Sequence, residues 1–528
     1  MFTAEILRGS VPKAREAVAG QFCIFIFLLA AAFFLFFDPR TTPIVLWDES
    51  RNILNALEMR KSGLALVTTY ESQPDLWNTK PPLLIWLMYG SMAIFGPSEW
   101  ALRFPSAVAA LATALIVILF VRRVTGSYVT GLVAGIILVL SPGFYSDHGA
   151  RTADYDSLLL FFTTASLQIL FFSLHRRRPT VRMSVLFGGL LACALLTKST
   201  AALIPFAGVP IYLLATKRLW RPFESWRQYA AMGAVALAPL LVFFAAREAT
   251  APGYLDAVFF NDLLGRFQQT LIGRETSPLL FLEALFLGWF LVGPLLVLAP
   301  LLLSFLRGRE RAVFLYSLML AGAQIAICSF SATRLVHYML PAFPWLAVAA
   351  AVAGAALWKR YLGPTSTNSS FGRATVVMVG IGLCILVGKS LLWRYREIPR
   401  PPEALYGELF VEVAERGYSK LLVSDPGIDL EGGKDPHYVP RLDAYRMIWS
   451  ERGLAVQHRP YLLPPSGDTL LGSCNPDIAS QMLKASANLS NVEGCAVIER
   501  GSAEQILSVG TESATLNPGA SRSVGTGT

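Results

Sequence analysis

Apolar runs about as long as a bilayer is thick recur along this chain, and short clusters of Lys and Arg separate them. A helix of about 20 apolar residues crosses a hydrocarbon core, and it does so only because its backbone N–H and C=O groups pair within the segment. The pattern predicts an α-helical polytopic membrane protein. Composition agrees: of 528 residues, 54% are hydrophobic and 15% charged, where a soluble domain carries about 25% charged residues. The net charge of +9 does not point to nucleic acid, because the basic residues sit in clusters between apolar runs. Clusters so placed act as cytoplasmic topology signals and meet anionic head groups. Membrane lipids are expected partners and nucleic acid is not.

The clusters also test a topology. They fall at Arg8/Lys13/Arg15, Arg122/Arg123, Arg176/Arg177/Arg178, Lys217/Arg218/Arg221, Arg307/Arg309/Arg311 and Lys359/Arg360. An even number of spans should separate consecutive clusters. Spans near 128–146 and 157–174, 181–196 and 199–215, 228–246 and 284–306, and 312–330 and 338–358 satisfy this. A last span near 374–393 then puts 394–528 outside. Ahead of Arg122 lie three apolar stretches, 22–37, 82–96 and 101–121, which is one too many. The middle one, PPLLIWLMYGSMAIFG, is short, opens on two prolines and closes on glycine. It reads as a helix that enters from outside without crossing. About eleven spans remain, with interfacial helices beside them.

The predicted organisation is a cytoplasmic N-terminus (1–21), a membrane domain (22–393) whose first outer loop and interfacial helices cover 38–100, an extracytoplasmic α/β domain (394–508) and a disordered tail (509–528). No small-residue cleavage site follows the first apolar run, so it reads as a retained span. Pro399, Pro401 and Pro402 mark the hinge before the outer domain, where KLLVSDPG and CAVIER read as short strands. Cys474 and Cys495 lie in that domain and can pair if it faces an oxidising compartment. Cys23, Cys193, Cys328 and Cys384 sit in apolar runs and read as small hydrophobes.

Charged residues that serve no topological purpose then collect on the outer side. The first loop supplies Asp48, Glu49, Arg51 and Lys80, and the second supplies Asp147, His148, Arg151, Asp154 and Asp156. Lys198 is in the third, Arg247, Glu248, Asp256, Asp262, Arg266, Arg274 and Glu275 in the fourth, and Arg334 and His337 in the fifth. An ionisable group at mid-membrane costs about 2.5–3.5 kcal/mol and is usually functional. Five loops feeding acids and bases to one face describe a site.

Each motif also has a plain structural reading. Asp48 can cap the helix ESRNILNALEMRKSG, whose Ile53, Leu54, Leu57 and Met59 give an apolar face, with Glu49 favoured by the helix dipole. Arg51 stands where a capping box wants Glu or Gln. Lys80 in WNTKPPLLIW can snorkel beside Pro81 and Pro82, or hold a phosphate. In GARTADYDS either Asp154 or Asp156 can cap the next span, and Arg151 can pair with Asp154. Lys198 in LLTKST is harder to dismiss, because it lies in a very short turn between spans. FFNDLLGRF and RLVHYMLPAFPWL put charge beside aromatics, as an interfacial belt does. Phosphate-binding loops, G-x-G-x-x-G, H-E-x-x-H and C-x-x-C are all absent from the sequence, which disfavours a nucleotide-driven pump.

Taken in order, the outer-loop DE, an interfacial helix, KPPL.IW and FG.SEWALRFPSA resemble the GT-C membrane glycosyltransferases. The likeness is to the branch of the aminoarabinose lipid A transferases and rhizobial lipopolysaccharide galacturonosyltransferases, related to protein O-mannosyltransferases. It is specific over 43–110 and looser through DYDSLLLFF, LLTKST, FFNDLLGRF and HYMLPAFPWLA. The resemblance implies a GT-C fold and a polyprenyl-phosphate-linked sugar donor. The acceptor would be a lipid or glycan of the envelope (lipid A, lipopolysaccharide core or another), on the outer face of a bacterial inner membrane. It puts the catalytic acid on Asp48 with Glu49 beside it, the donor phosphate on Lys80 with Lys198 and Arg266, and substrate contacts on Arg51, Asp154, Asp156, His337 and Tyr338. In the aminoarabinose branch a glutamate and a histidine hold a metal at positions occupied here by Thr79 and Leu263. No cofactor is assigned, and a divalent cation stays open with its ligands unknown.

The chemistry fits these residue types. An inverting displacement needs a carboxylate to take the acceptor hydroxyl's proton and cations to stabilise the departing phosphate. A retaining reaction would add a second carboxylate as nucleophile, for which Glu49 and Asp154 are candidates. A flippase or secondary transporter would also gather charge among helices, but near mid-membrane and with broken helices in both halves. A protein O-mannosyltransferase-like acceptor is the other alternative.

Overall fold

Long helices dominate the computed structural model, which describes residues 14–36, 43–44, 46–63, 65–176, 178–264, 277–293, 299–361, 388, 392, 402–425, 429–430, 433–434, 439–459, 469–485, 489–492 and 494–498. The chain divides into two units. One comprises Met1–Phe37, Glu58–Gly96 and Trp100–Glu397, the other Asp38–Leu57, Pro97–Glu99 and Ile398–Thr528. The first-loop segment 38–57, expected to belong with the membrane helices, thus groups with the C-terminal part.

In chain order the main helices are α1 (Ala14–Phe36), α2 (Trp47–Ser62), α3 (Leu83–Phe95), α4 (Glu99–Thr125), α5 (Tyr128–Val139), α6 (Tyr155–Leu174), α7 (Val181–Lys198), α8 (Gly208–Ala215), α9 (Trp226–Thr250), α10 (Gly308–Phe330) and α11 (Phe343–Tyr361). Among the described residues, seven helical stretches are long and apolar enough to cross a membrane: 16–36, 99–125, 155–174, 181–215, 221–250, 308–330 and 336–360. Side chains such as Phe22, Phe33 and Val242 stand exposed on them, as lipid-facing residues do and water-facing ones rarely do. Helix α3 has 13 residues, or about 20 Å at 1.5 Å per residue. That is short of the roughly 30 Å hydrocarbon thickness, in keeping with a helix that does not cross. The expected span at 128–146 is shorter than read: α5 stops at Val139, and Pro142 opens a separate turn through Tyr145. Of the expected span 284–306, the described residues are α-helical only within Leu280–Leu287 and Ala299–Leu303, with turns at 288–293. The expected span at 374–393 and the tail lie outside the described residues, apart from 388 and 392.

Two features of this unit shape the site. The run 181–215 breaks at Lys198–Ser199, where the backbone leaves helical geometry (φ −146°, ψ 41° and φ 37°, ψ −121°). The 3-10 turns that follow (Ser199–Ala207) pack against α7 and α10. Gly208 lets α8 approach α10, because a Cβ there would stand 2.4 Å from the Met319 carbonyl oxygen; small residues allow such contact between membrane helices. The core between α4, α6, α10 and α11 is aromatic, with Phe120, Phe171, Tyr316 and Trp345 meeting largely edge to face at centroid distances of 5.1–6.0 Å.

The second unit contains the expected α/β fold. Its elements are α12 (Tyr406–Glu415), β1 (Lys420–Ser424), α13 (Pro440–Ser450), β2 (Ala455–Arg459), β3 (Leu470–Ser473), α14 (Pro476–Ala485), β4 (Leu489–Val492) and β5 (Cys495–Ile498). The sheet order is β2-β1-β3-β5-β4, parallel across β2-β1-β3 and antiparallel beyond. Both strands read from KLLVSDPG and CAVIER are present, as β1 and β5. Cys474 and Cys495 form a disulfide where β3 ends and β5 begins. The first-loop segments are tied to this domain by named contacts. The Ile44 N–H donates to the Tyr445 hydroxyl at 2.6 Å, and Arg452 donates to the Pro97 carbonyl (3.2 Å) and to the Glu99 carboxylate (3.4 Å).

Candidate functional site

Helix α6 starts where its sequence says it should. Asp154 caps it, with Oδ1 accepting from the Tyr155 N–H at 2.6 Å, and the Ser106 hydroxyl of α4 donates to the Asp154 carbonyl oxygen at 2.9 Å. The other carboxylate oxygen of Asp154 meets His148 Nδ1, whereas the sequence had offered Arg151 as its local ion-pair partner. His148 adopts left-handed backbone geometry (φ 59°) and stacks on His337 with centroids 3.7 Å apart. Burial works to raise the Asp154 carboxyl, yet His148, Lys198 and His337 outweigh it and hold it well below the usual carboxylate range.

Two residues on, Asp156 faces the broken end of α7. Lys198 Nζ donates to both its oxygens at 2.8 and 2.9 Å, and the two side chains are only 12% and 3% exposed. Lys198 and Asp156 line a cavity of about 810 Å³ that includes space open to solvent. Lys80, Ser199, Asp262, Gln324 and Tyr338 add further polar lining, while Leu159, Ala201, Ile204, Ile327 and Pro341 make apolar wall. Lys80 Nζ lies 5.5 Å from the ring centroids of both Trp77 and Tyr155. Lys198 Nζ lies 5.9 Å from that of Tyr338. A wide π-helical turn, Phe259–Leu264, carries Asp262, which accepts from the Thr79 hydroxyl at 2.6 Å. The Tyr254 hydroxyl closes the loop by donating to the Thr79 carbonyl oxygen at 2.7 Å.

Donor atoms of His148, Asp156 and His337 all lie within 4.8 Å of one another. The arrangement does not fit a divalent cation as it stands. Stacked rings only 25° from parallel direct their in-plane lone pairs side by side, and Asp156 is already engaged by Lys198. The position implied for a metal-ligating glutamate holds Thr79, whose hydroxyl is spent on Asp262, and Leu263 brings no donor.

Of the residues expected at the site, Lys80, Asp156, Lys198 and Tyr338 line one cavity, with Asp154 and His337 joined to it through His148 and Asp156. Arg266 lies outside the described residues. Asp48, Glu49 and Arg51 belong to the second unit. Glu49 and Arg51 are buried there and Asp48 is half-buried. Asp48 is not the cap of α2: the Ser50 N–H bonds to the Leu46 carbonyl at 3.1 Å, so Leu46 is the cap residue and Asp48 lies in the first turn. A carboxylate there still gains from the helix dipole. Sequence reasoning counted His148 and Asp262 among the outer-face charges without giving them a role, and passed over Ser199 and Gln324. A glutamine inside the apolar run AGAQIAIC was the one available signal for Gln324.

The family described as dolichyl-phosphate-mannose-protein mannosyltransferase matches residues 79–244, a stretch that holds Lys80, His148, Asp154, Asp156 and Lys198 and excludes Asp48. A protein of Aquifex aeolicus is 34% identical over 167 residues, covering 32% of each chain. The undecaprenyl phosphate-alpha-4-amino-4-deoxy-L-arabinose arabinosyl transferase of Shewanella sediminis is 29% identical over 321 residues, covering 57% of this chain and 55% of its own. The chain thus spans about a third to a half of these curated relatives' length. Among solved structures, ArnT from Cupriavidus metallidurans bound to undecaprenyl phosphate superposes with a TM-score of 0.61 at 19% identity, over 91% of this chain and 98% of that one. The fold is therefore that of the GT-C membrane glycosyltransferases. In sequence the chain is similar to an aminoarabinose transferase over part of its length, and its residues 79–244 to the protein mannosyltransferases.

Proposed function

We propose that this protein is a GT-C glycosyltransferase that moves a sugar from a polyprenyl phosphate to an envelope acceptor on the outer face of the inner membrane. The observation that carries the reading is the cavity, whose polar part holds Lys80 and the Lys198–Asp156 pair while the rest is apolar. A phosphate between a sugar and a long isoprenoid needs cations at its head and hydrocarbon along its tail. In the inverting reaction the acceptor hydroxyl oxygen attacks the anomeric carbon, the bond from that carbon to the phosphate oxygen breaks, and the hydroxyl proton passes to a carboxylate. Lys80 and Lys198 stabilise the charge that grows on the departing phosphate, with Arg266 as a further cation on the sequence's authority. Asp48 is the proton acceptor, with Glu49 beside it. Arg51, Asp154, Asp156, His337 and Tyr338 orient the substrates, Asp154 acting through His148. This assignment of Asp48 rests on the resemblance over 43–110 and on a carboxylate in the first turn of α2.

The N-terminus is cytoplasmic and the C-terminal domain extracytoplasmic in this reading. The Cys474–Cys495 disulfide supports that side, since disulfides persist in oxidising compartments. The acceptor is a lipid A, lipopolysaccharide core or other envelope glycan. Binding of undecaprenyl phosphate to the purified protein in nanodiscs tests the reading. Wild type should bind and Lys80→Met should bind at least tenfold more weakly, on the order of a lost charge-assisted hydrogen bond. Absence of binding by the wild type refutes it.

A further inference from the structure

The cavity contains two buried polar atoms with no hydrogen-bond partner among the described residues, the Ser199 hydroxyl and the Gln324 amide oxygen. Buried polar groups are paired in the great majority of cases, so an unpaired one in a cavity wall marks where a ligand atom belongs. Ser199 sits directly after Lys198, held at φ 37°, in the left-handed region that side chains other than glycine's rarely enter. Such strain tends to gather where a ligand is gripped. Its residue is 4% exposed and its backbone N–H is spent on the Leu195 carbonyl, leaving the hydroxyl as the group it offers. Gln324, in the middle of α10, is 2% exposed. Its Nε2 donates to the Tyr338 carbonyl oxygen at 2.7 Å, which fixes the amide, since a flip would set two oxygens against each other. Oε1 is therefore what Gln324 presents, and an amide oxygen only accepts.

The two groups differ in kind. A serine hydroxyl beside a lysine suits a phosphate oxygen, whereas an accepting oxygen requires a donor on the ligand, such as a sugar hydroxyl or amine. We propose that Ser199 and Gln324 form a two-part headgroup subsite, in which Ser199 donates to the donor's phosphate and Gln324 accepts from its sugar. Gln324 is then a specificity residue that distinguishes sugar-loaded lipid from the spent carrier. The inference rests on the function proposed above and deepens it.

The test compares two probes on the full-length protein in nanodiscs. One is undecaprenyl phosphate. The other is whichever of its aminoarabinose-, galacturonic acid- or glucose-linked forms the wild type binds most tightly. Ser199→Ala should weaken both about tenfold to a hundredfold, as loss of a hydrogen bond to a charged group does. Gln324→Leu should weaken only the sugar-linked probe, by roughly three- to tenfold, and Gln324→Met, which keeps the side-chain length but has no amide oxygen, should do the same. Ser199→Gly, which loses the hydroxyl while relaxing the backbone, should behave as Ser199→Ala and guards against a folding defect. Equal weakening of both probes by Gln324→Leu overturns the proposal, as does unchanged binding by either serine variant or a wild type that binds no sugar-linked form more tightly than the carrier. A wild type that binds neither probe refutes the proposed function itself.

Discussion

The Asp156–Lys198 pair is the most exacting place to test the site's energetics. Its contacts are 2.8 and 2.9 Å, and with side chains 3% and 12% exposed neither charge is fully solvated when its partner is removed. Deleting one member of such a buried pair costs about 3–5 kcal/mol, because it leaves an uncompensated charge, whereas replacing both by apolar residues is often near neutral. The neighbours rank the single variants. Lys198→Met strands Asp156 two residues from Asp154, a second carboxylate, and should fall near 5 kcal/mol on the order given above. Asp156→Leu leaves Lys198 within reach of Asp154's field and the Tyr338 ring face, and should fall nearer 3 kcal/mol on that same order. The double variant should cost less than either, about 2 kcal/mol or below, giving a strongly non-additive cycle. Reversible unfolding by SDS titration in mixed micelles reads all four corners. Single variants that each cost under about 1 kcal/mol, as an exposed pair would, or a double variant equal to their sum, would refute the argument.

Three further outcomes follow from other parts of the molecule. His175 accepts from the Tyr212 hydroxyl through Nε2 (3.1 Å) and donates through Nδ1 to the Phe171 carbonyl (2.8 Å); burial pushes its pKa down from 6.5 to about 4. Between those values the unfolded chain takes up a proton that the folded one refuses, so stability should drop as pH is lowered through that window, by about 3 kcal/mol, and pH-dependent melting of His175→Gln should lose that slope. Replacing Cys474 and Cys495 by Ser opens a link across 21 residues and should cost about 3 kcal/mol by loop entropy, read as a lower melting temperature of the α/β domain's signal. Tyr445→Phe strips the acceptor from the buried Ile44 N–H, at a cost of about 1–3 kcal/mol, and hydrogen exchange at Ile44 should speed up by roughly five- to a hundredfold; unchanged exchange would mean that this bond does not hold the segment ahead of Asp48.

What the sequence made legible was local or periodic. The Asp154 cap, the short helix between Pro82 and Gly96, the strands in KLLVSDPG and CAVIER, and the gathering of Lys80, Asp156 and Lys198 from separate loops follow from residue type, apolar period and loop parity, whereas Tyr338 was implied by the resemblance alone. The start of α2 was misread by two residues because Asp is a far better cap than Leu, yet the first helical hydrogen bond runs back to Leu46. His148 outcompetes Arg151 for Asp154 through a left-handed residue, which no propensity for histidine announces. Ser199 and Gln324 acquire meaning only from their unpaired atoms in a cavity wall. The bond from Ile44 to Tyr445 joins positions 401 residues apart, a separation at which apolar period and capping rules are silent.

In the proposed reaction Asp48 takes the acceptor's proton, so sugar transfer to an envelope acceptor should depend on its carboxylate. Mass spectrometry of envelope glycolipids, from cells lacking the gene and complemented with wild type or Asp48→Asn, tests it most directly. One glycolipid should lose a sugar mass in the deletion, regain it with wild type and stay truncated with an Asp48→Asn protein present at wild-type level. Glycolipids identical in all three strains would refute the proposed transfer, and full restoration by Asp48→Asn would remove Asp48 from the proton-accepting role.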